Sequence, residues 1–220
     1  MSRNWAYLSN YLVYSSMALY ALSFIAHAVE TAWAVRVTTE DSKKNIDYKR
    51  TEKVARIATA MMILGFVLLF AGVVARGLSA SRVPWGNMYE FSITGALAFS
   101  AAYLFALKKY KLRWLGLPVS LAVLLTLGTA VTLLYRPSAP LMPALKSPWL
   151  VIHVSAAIIS GGVFLLSNVI ASAYLYLDRM EKKGERTPWA KRLPELETLD
   201  LLSYRLVAFV FPLWTFSVIS

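Results

Sequence analysis

His153 is the side chain in this sequence that is best suited to chemistry. The 220 residues include two histidines and no cysteine, so few side chains can bind a transition metal. A neutral imidazole is a good ligand for haem iron or for another transition metal. The residues alone leave two interpretations open: His153 binds a metal, or it hydrogen-bonds to a serine or a backbone carbonyl of a neighbouring helix.

The helical face that carries His153 is small or polar, which is typical of a face that packs against other helices. This face continues through Ala156, Ala157, Ser160, Phe164, Ser167 and Asn168, while Val154, Ile158, Leu165 and Val169 form the contrasting side. An ionisable group in a membrane span is costly, so a functional role is the default interpretation. We expect His153 to point into the protein or into a cavity at one leaflet.

His27 is the second candidate, and Glu30 follows it by one helical turn. An axial metal ligand and an interhelical hydrogen bond are both open for His27, and Glu30 is expected to snorkel or to pair with loop lysines. The depths of the two histidines in their apolar runs differ by roughly 15 Å, given 1.5 Å of rise per residue. Two axial ligands of one iron must almost meet, so His27 and His153 cannot share a metal.

The segment from Arg82 to Phe91 carries the other polar candidates. Asn87 precedes Glu90 by three residues, the spacing of a capping pair at a helix start, where the helix dipole also favours an acidic side chain. Trp85 and Tyr89 can be read as aromatic residues of a membrane interface. The segment predicts a helix that begins just after Asn87.

Composition indicates the elements that must position these side chains. Hydrophobic residues make up 58% of the chain and charged residues 16%, against about 45–50% and 25% in soluble domains. Mean hydropathy is +0.54. These values exclude a disordered chain, a coiled coil and an ordinary cytosolic enzyme. They predict an all-α membrane protein, a polytopic helical bundle that forms a single transmembrane domain over residues 1–220.

Six apolar runs are predicted to be membrane helices, because they are continuously apolar rather than alternating. Their approximate bounds are 12–35, 54–75, 88–107, 115–135, 150–177 and 206–220. A helix needs roughly 20 residues to cross the hydrocarbon core. The last run has only 15 residues, so we expect an incomplete sixth helix and further sequence beyond Ser220.

Lysine and arginine are distributed unequally between the two sets of connecting segments, with 18 on one side and five on the other. The positive-inside rule then predicts an extracytoplasmic N-terminus and three cytoplasmic basic loops. The net charge of +11 is thereby assigned to membrane topology, and no nucleic-acid partner is expected.

Three segments resemble one family of membrane proteins. The segment from Arg82 to Glu90 resembles the pattern R-x-P-x-S-N-x-Y-E, with Gly86 in place of the usual serine, and the segment from Ser147 to Val154 resembles S-x-W-L-x-x-H-V. Residues 199–205 look like the lead-in to the span before that family's tryptophan-rich (WWD) motif. The sequence therefore resembles the CcsA/ResC-type cytochrome c biogenesis proteins of System II, called CcsB in actinobacteria.

This resemblance implies a membrane protein that brings haem b to the extracytoplasmic face of the plasma membrane for attachment to apocytochrome c. His153 would be the first of two axial ligands of the haem iron, the second lying beyond Ser220. Trp149, Trp85, Asn87 and Glu90 are the other candidate haem-binding residues, with His27 as a further candidate that no family motif supports. No catalytic residue is assigned, since the covalent chemistry belongs to haem and to apocytochrome thiols.

The same resemblance implies several partners. These are a ResB-like membrane protein, apocytochrome c, a thiol-reducing thioredoxin-like protein and the lipid bilayer, together forming a holocytochrome c synthase.

Two other classes of function remain open from the residues. In a secondary transporter, His153 and Glu90 would form a proton or substrate site, and Pro118 and Gly161-Gly162 would interrupt helices. In a structural membrane subunit, both histidines would serve helix packing alone.

Overall fold

A computed structural model describes residues 2–39, 44–110, 112–138, 147–184 and 187–219. These ranges contain six long helices and two short 3-10 turns, Arg113–Leu115 before α4 and Ala190–Arg192 before α6. The helices are α1 (Ser2–Thr39), α2 (Lys44–Ala80), α3 (Met88–Lys109), α4 (Gly116–Thr132), α5 (Pro148–Lys182) and α6 (Leu196–Ile219). The predicted all-α fold is confirmed.

All six helices of the described ranges are long and apolar enough to cross a membrane. Many large apolar side chains lie on the outside of the bundle, for example Phe105, Leu125 and Phe209, which are 73%, 62% and 80% exposed. A soluble protein would bury such residues, whereas lipid accommodates them. The chain is a polytopic helical membrane protein, as its composition predicts.

The predicted starts of three helices are wrong by ten residues each. Helices α1, α2 and α6 begin at Ser2, Lys44 and Leu196 rather than at residues 12, 54 and 206. In α6, Asp200 and Arg205 interrupt the apolar run without interrupting the helix. The helix has 24 residues, more than the roughly 20 that a bilayer core requires. The prediction that this helix is too short to span is therefore also wrong.

The helices alternate in direction, so the bundle has two ends. At the end that we call the Glu90 end, α2 finishes and α3 and α5 begin; at the opposite Glu30 end, α4 and α6 begin. Helices α1 and α2 pack along their length, α4 contacts α1 and α3, α3 contacts α5, and α5 packs on α6. The central core lies between α3 and α4, where Ile93, Val123 and Leu127 are fully buried.

Helix α5 approaches α3 closely at Gly162. A Cβ atom at this position would lie 2.8 Å from the carbonyl carbon of Ala98 and 2.9 Å from the amide nitrogen of Phe99. Small residues allow such close contacts between membrane helices. On the face predicted to be interior, Ala156, Ser160 and Ser167 are indeed buried.

Two residues of α5 lie on the side opposite to the one predicted. Asn168 is exposed, and Ile158 is 5% exposed and therefore buried. Helix α5 packs on both α3 and α6, so its buried face is wider than a single stripe of small residues and is not centred on it.

Candidate functional site

An open cavity of about 350 Å³ lies at the Glu90 end, between the start of α3 and the first turns of α5. Three features of its lining matter: one imidazole, one amide and several apolar or aromatic side chains. The lining residues are Trp85, Gly86, Asn87, Met88, Phe91, His153, Val154 and Ala157. We call this space the His153 cavity.

His153 is the sixth residue of α5 and is half-buried. Its backbone carbonyl accepts a hydrogen bond from the Ser217 hydroxyl of α6 at 3.4 Å. Ser147 is the N-cap of α5, and its side chain accepts from the Trp149 amide at 3.2 Å; the helix then begins with Pro148, which suits the first turn. His153 therefore borders a cavity rather than lipid alone, as expected.

Asn87 has two roles in this geometry. Its backbone is extended, with φ −154° and ψ 168°, and its side-chain oxygen accepts a hydrogen bond from the Glu90 amide at 2.9 Å. This is a helix N-cap, which satisfies an amide that would otherwise have no partner in the first turn. The predicted cap by Asn87 is confirmed, whereas the Glu90 carboxylate accepts from the Gly86 amide instead of the Asn87 amide. Asn87 also lines the His153 cavity.

Glu90 is fully buried and points away from the cavity into a cluster of cations. Its carboxylate accepts from Arg76 Nε at 3.1 Å, from Arg82 Nη1 at 2.7 Å and from the Gly86 amide at 2.9 Å. The bond to Gly86 fixes the loop that forms one wall of the cavity. Glu90 thus holds the loop in place rather than contacting a ligand in the cavity.

Sequence reasoning did not find Arg76 and Arg82 as partners of Glu90. Arg76 lies at the end of an apolar run and Arg82 in the following loop, and neither the charge count nor the motif pairs them with Glu90. A useful signal was available: a buried carboxylate near a helix start needs a cation, and these are the two nearest basic residues.

Arg76 is fully buried near the end of α2. Its Nη2 donates to the backbone carbonyl of Arg136, and its guanidinium carbon lies 5.0 Å from the centre of the Tyr89 ring. Among the described residues, its Nη1 has no hydrogen-bond partner. Arg76 therefore joins α2, α3 and the segment after α4.

The reading of Tyr89 as an interfacial aromatic is wrong. Its side chain is fully buried, stacks edge-on against Tyr135 with 5.2 Å between ring centres, and faces Arg76. Tyr89 therefore lies on the side of α3 that faces the bundle, where it makes a cation–π contact with Arg76.

The two tryptophans differ in their placement. Trp85 lines the His153 cavity, and its buried indole Nε1 has no hydrogen-bond partner within the part of the chain that the structure describes. Trp149 is 50% exposed, packs edge-on against Phe216 of α6 at 5.9 Å, and does not line the cavity.

His27 lies at the Glu30 end, far from His153, and is 3% exposed. Its Nδ1 is 2.9 Å from the Ser23 carbonyl oxygen, and the Ser23 hydroxyl donates to the Ala58 carbonyl of α2. The edge of the ring that carries Nε2 lies against Gly116 at the start of α4, so closely that a Cβ atom there would overlap it. Nδ1 thus has a hydrogen-bond partner, and Gly116 covers the Nε2 edge of the ring, which favours a packing role over an axial ligand.

Glu30 forms an ion pair with Arg192, in the 3-10 turn that precedes α6. The predicted pairing with a loop cation is right in kind, although the partner is an arginine instead of a lysine. The two side chains are 8% and 16% exposed, so the pair ties α1 to the α5–α6 connection in a largely dry environment.

The lining of the His153 cavity suits a haem iron better than a bare metal ion. Within the described ranges no three His, Cys, Asp or Glu side chains are grouped to hold a metal ion. A bare metal ion needs three or four protein ligands, whereas haem iron needs from the protein only an axial ligand and an apolar surface for the ring. One imidazole with Trp85, Met88 and Phe91 fits the second requirement.

Fold and site together define a polytopic membrane protein with a single-histidine aromatic cavity at one end of its helical bundle. The family model described as cytochrome C assembly protein matches residues 85–220. This is more than half of the chain, so the chain belongs to the cytochrome c assembly protein family. The match begins at Trp85 and includes every residue of the His153 cavity.

Several similar proteins are named as cytochrome c biogenesis proteins. The chain is similar to a cytochrome c biogenesis protein CcsA of Guillardia theta, with 29% identity over 191 residues, covering 79% of this chain and 64% of the relative. A CcsA of Synechocystis sp. is 30% identical over 125 residues, covering 56% of this chain and 37% of the relative. The chain thus spans less than two thirds of the length of these relatives.

Proposed function

We propose that the protein acts in cytochrome c maturation by holding haem b in the His153 cavity, with His153 as an axial ligand of the iron. The observation that carries this proposal is the cavity itself. It joins residues 85–91 to His153, which lies more than 60 residues later in the chain. The relatives named as cytochrome c biogenesis proteins support the process.

Each residue of the cavity has a distinct part in this proposal. When haem is bound, the His153 imidazole would hold its iron and tune its redox state. Trp85, Met88 and Phe91 provide apolar contact for the ring, and Asn87 fixes the direction of α3 through its cap. Glu90 acts indirectly by anchoring the loop at Gly86.

The remaining steps belong to partners in our proposal. The chain has no cysteine, so the thiols that add to the haem vinyl groups come from apocytochrome c, kept reduced by a thioredoxin-like protein. A ResB-like membrane protein completes the holocytochrome c synthase at the extracytoplasmic face of the plasma membrane. In this proposal His27, at the opposite end of the bundle, is not the second ligand, which would be supplied from outside these 220 residues.

Haem loading of purified variants tests the proposal. The full-length protein is purified with its partner from cells that make haem, and absorption spectra give haem content and ligation. We expect His153→Ala to lose most of the bound haem and to abolish cytochrome c maturation. His27→Ala, which removes the other histidine of the chain, is the matched control and is expected to keep the haem spectrum.

Chemical rescue separates ligation from folding. In His153→Gly, added imidazole should restore the haem spectrum, because a free ligand can occupy the space left by the side chain. An unchanged spectrum and normal maturation in His153→Ala would overturn the proposal. A loss of haem in His27→Ala alone would transfer the axial role to the Glu30 end.

A further inference from the structure

A second and larger cavity, of about 850 Å³, opens at the Glu30 end between α2, α3 and the turn before α4. Four of its lining residues are cationic: Arg56, Lys108, Lys109 and Arg113. We call it the basic cavity. It lies at the opposite end of the bundle from the His153 cavity and is not part of the site described above.

The charge of the basic cavity is largely unbalanced. None of its described lining residues is acidic. Arg56 pairs with Glu52 one turn earlier at 2.7 Å, on an exposed part of α2. Lys109 lies 5.6 Å from the centre of the Tyr110 ring, a contact that leaves its charge in place. An excess of positive charge thus faces one space, which favours an anionic ligand.

Polar and apolar groups are sorted by depth in this cavity. Along α2, Ala60 and Ile63 follow Arg56 by one and two turns, placing them up to about 10 Å deeper in the bundle. Along α3, Leu107 precedes the two lysines and lies deeper than they do. Lys108, Lys109 and Arg113 therefore form the rim at the end of α3 and the turn before α4, with Arg56 of α2 beside them, and the apolar side chains form the floor.

We propose that the basic cavity binds an anionic phospholipid, with the headgroup phosphate at the cationic rim and an acyl chain along the apolar floor. Basic pockets between membrane helices bind acidic headgroups in this way. A soluble anion would bind to the cationic rim alone and would make no contact with the apolar floor. The arrangement of cations above apolar side chains therefore favours a lipid over a soluble anion. This inference does not depend on haem binding.

Lipid retention measured by native mass spectrometry tests the proposal. The full-length protein is exchanged into detergent with either phosphatidylglycerol or phosphatidylcholine at equal concentration. We expect one phosphatidylglycerol to remain bound at concentrations where phosphatidylcholine is lost. Inorganic phosphate at millimolar concentration should not displace it.

The variant Lys108→Gln/Lys109→Gln/Arg113→Gln removes three rim charges and leaves the Arg56–Glu52 pair intact. Each cation near an acidic membrane surface contributes about 1 kcal/mol, so the affinity for phosphatidylglycerol should fall on the order of 100-fold. The control Arg179→Gln/Lys183→Gln/Lys191→Gln removes the same charge from the same end of the bundle, outside the cavity. It should retain the lipid.

A second variant tests the floor without changing charge. Ile63→Trp fills the apolar part of the cavity, and the bound lipid should be lost while helical content measured by circular dichroism stays unchanged. Equal retention by the triple variant and by its control would overturn the proposal. So would complete displacement by inorganic phosphate, or equal retention of phosphatidylcholine, since each shows that the lipid headgroup is not recognised.

Discussion

Arg76 on α2 and Glu90 on α3 form an ion pair in which Nε and Oε1 are 3.1 Å apart and both side chains are fully buried. Arg82 joins the same carboxylate, and the Gly86 amide donates to it. Burying an unpaired charge is very costly, so this arrangement holds the start of α3 in one position. The His153 cavity takes one wall from the loop fixed in this way.

Replacing Glu90 with glutamine is expected to destabilise the bundle strongly. The change leaves two guanidinium groups without a counter-charge, and breaking a buried pair costs about 3–5 kcal/mol. Thermal unfolding in detergent, followed by circular dichroism, measures the effect. Asp178→Asn is the control: it breaks the exposed Lys182–Asp178 pair of 2.7 Å and should leave the melting temperature almost unchanged. Equal effects of the two changes would contradict the structural role of Glu90.

Two adjacent glycines of α5 should respond differently to alanine. Gly162→Ala places a Cβ atom 2.8 Å from backbone of α3, which cannot yield easily, so unfolding should become easier by about 1–3 kcal/mol. Gly161→Ala meets nothing within 4 Å and should be neutral or slightly stabilising, since alanine favours a helix. Melting temperatures of the two variants decide the question. A harmless Gly162→Ala would show that α3 and α5 are further apart.

Gly116 and His27 should be energetically coupled. An added Cβ at Gly116 overlaps the imidazole, so Gly116→Ala should destabilise the protein by about 1–3 kcal/mol. In a His27→Ala background the same change should cost much less, because the space is then open. A double-mutant cycle on unfolding free energies measures this coupling. Gly128→Ala, on the same helix with nothing within 4 Å, should show none.

The orientation in the membrane can be read from single cysteines, since the chain has none of its own. Val83 is 39% exposed at the Glu90 end, and Lys183 is exposed at the Glu30 end. If the basic loops are cytoplasmic, a membrane-impermeant maleimide should label Val83→Cys in intact cells and Lys183→Cys only after lysis. The opposite pattern would reverse the predicted topology and place the His153 cavity on the cytoplasmic side.

Much of the fold follows from local chemistry. The helix start at Met88 is predicted by the Asn87–Glu90 spacing, because a cap depends only on side chains within one turn. Helices α1, α2 and α6 each begin ten residues before the predicted span, because hydrophobicity marks the part of a helix that suits lipid rather than the part that is helical. Charged residues such as Asp200 continue a helix beyond the apolar run.

Sequence patterns are enough to predict the all-helical membrane class, the apolar part of each helix, the cap at Asn87 and the separation of His153 and His27 to opposite ends. The packing of the bundle is what places Asn87 and His153 at one cavity, turns Glu90 towards Arg76 and sets His27 against Gly116. Apolar length and capping are properties of neighbouring residues along the chain, whereas these contacts depend on how each helix is rotated and where helices cross. Rotation and crossing are set by packing among all six helices of the described chain, which no single segment encodes.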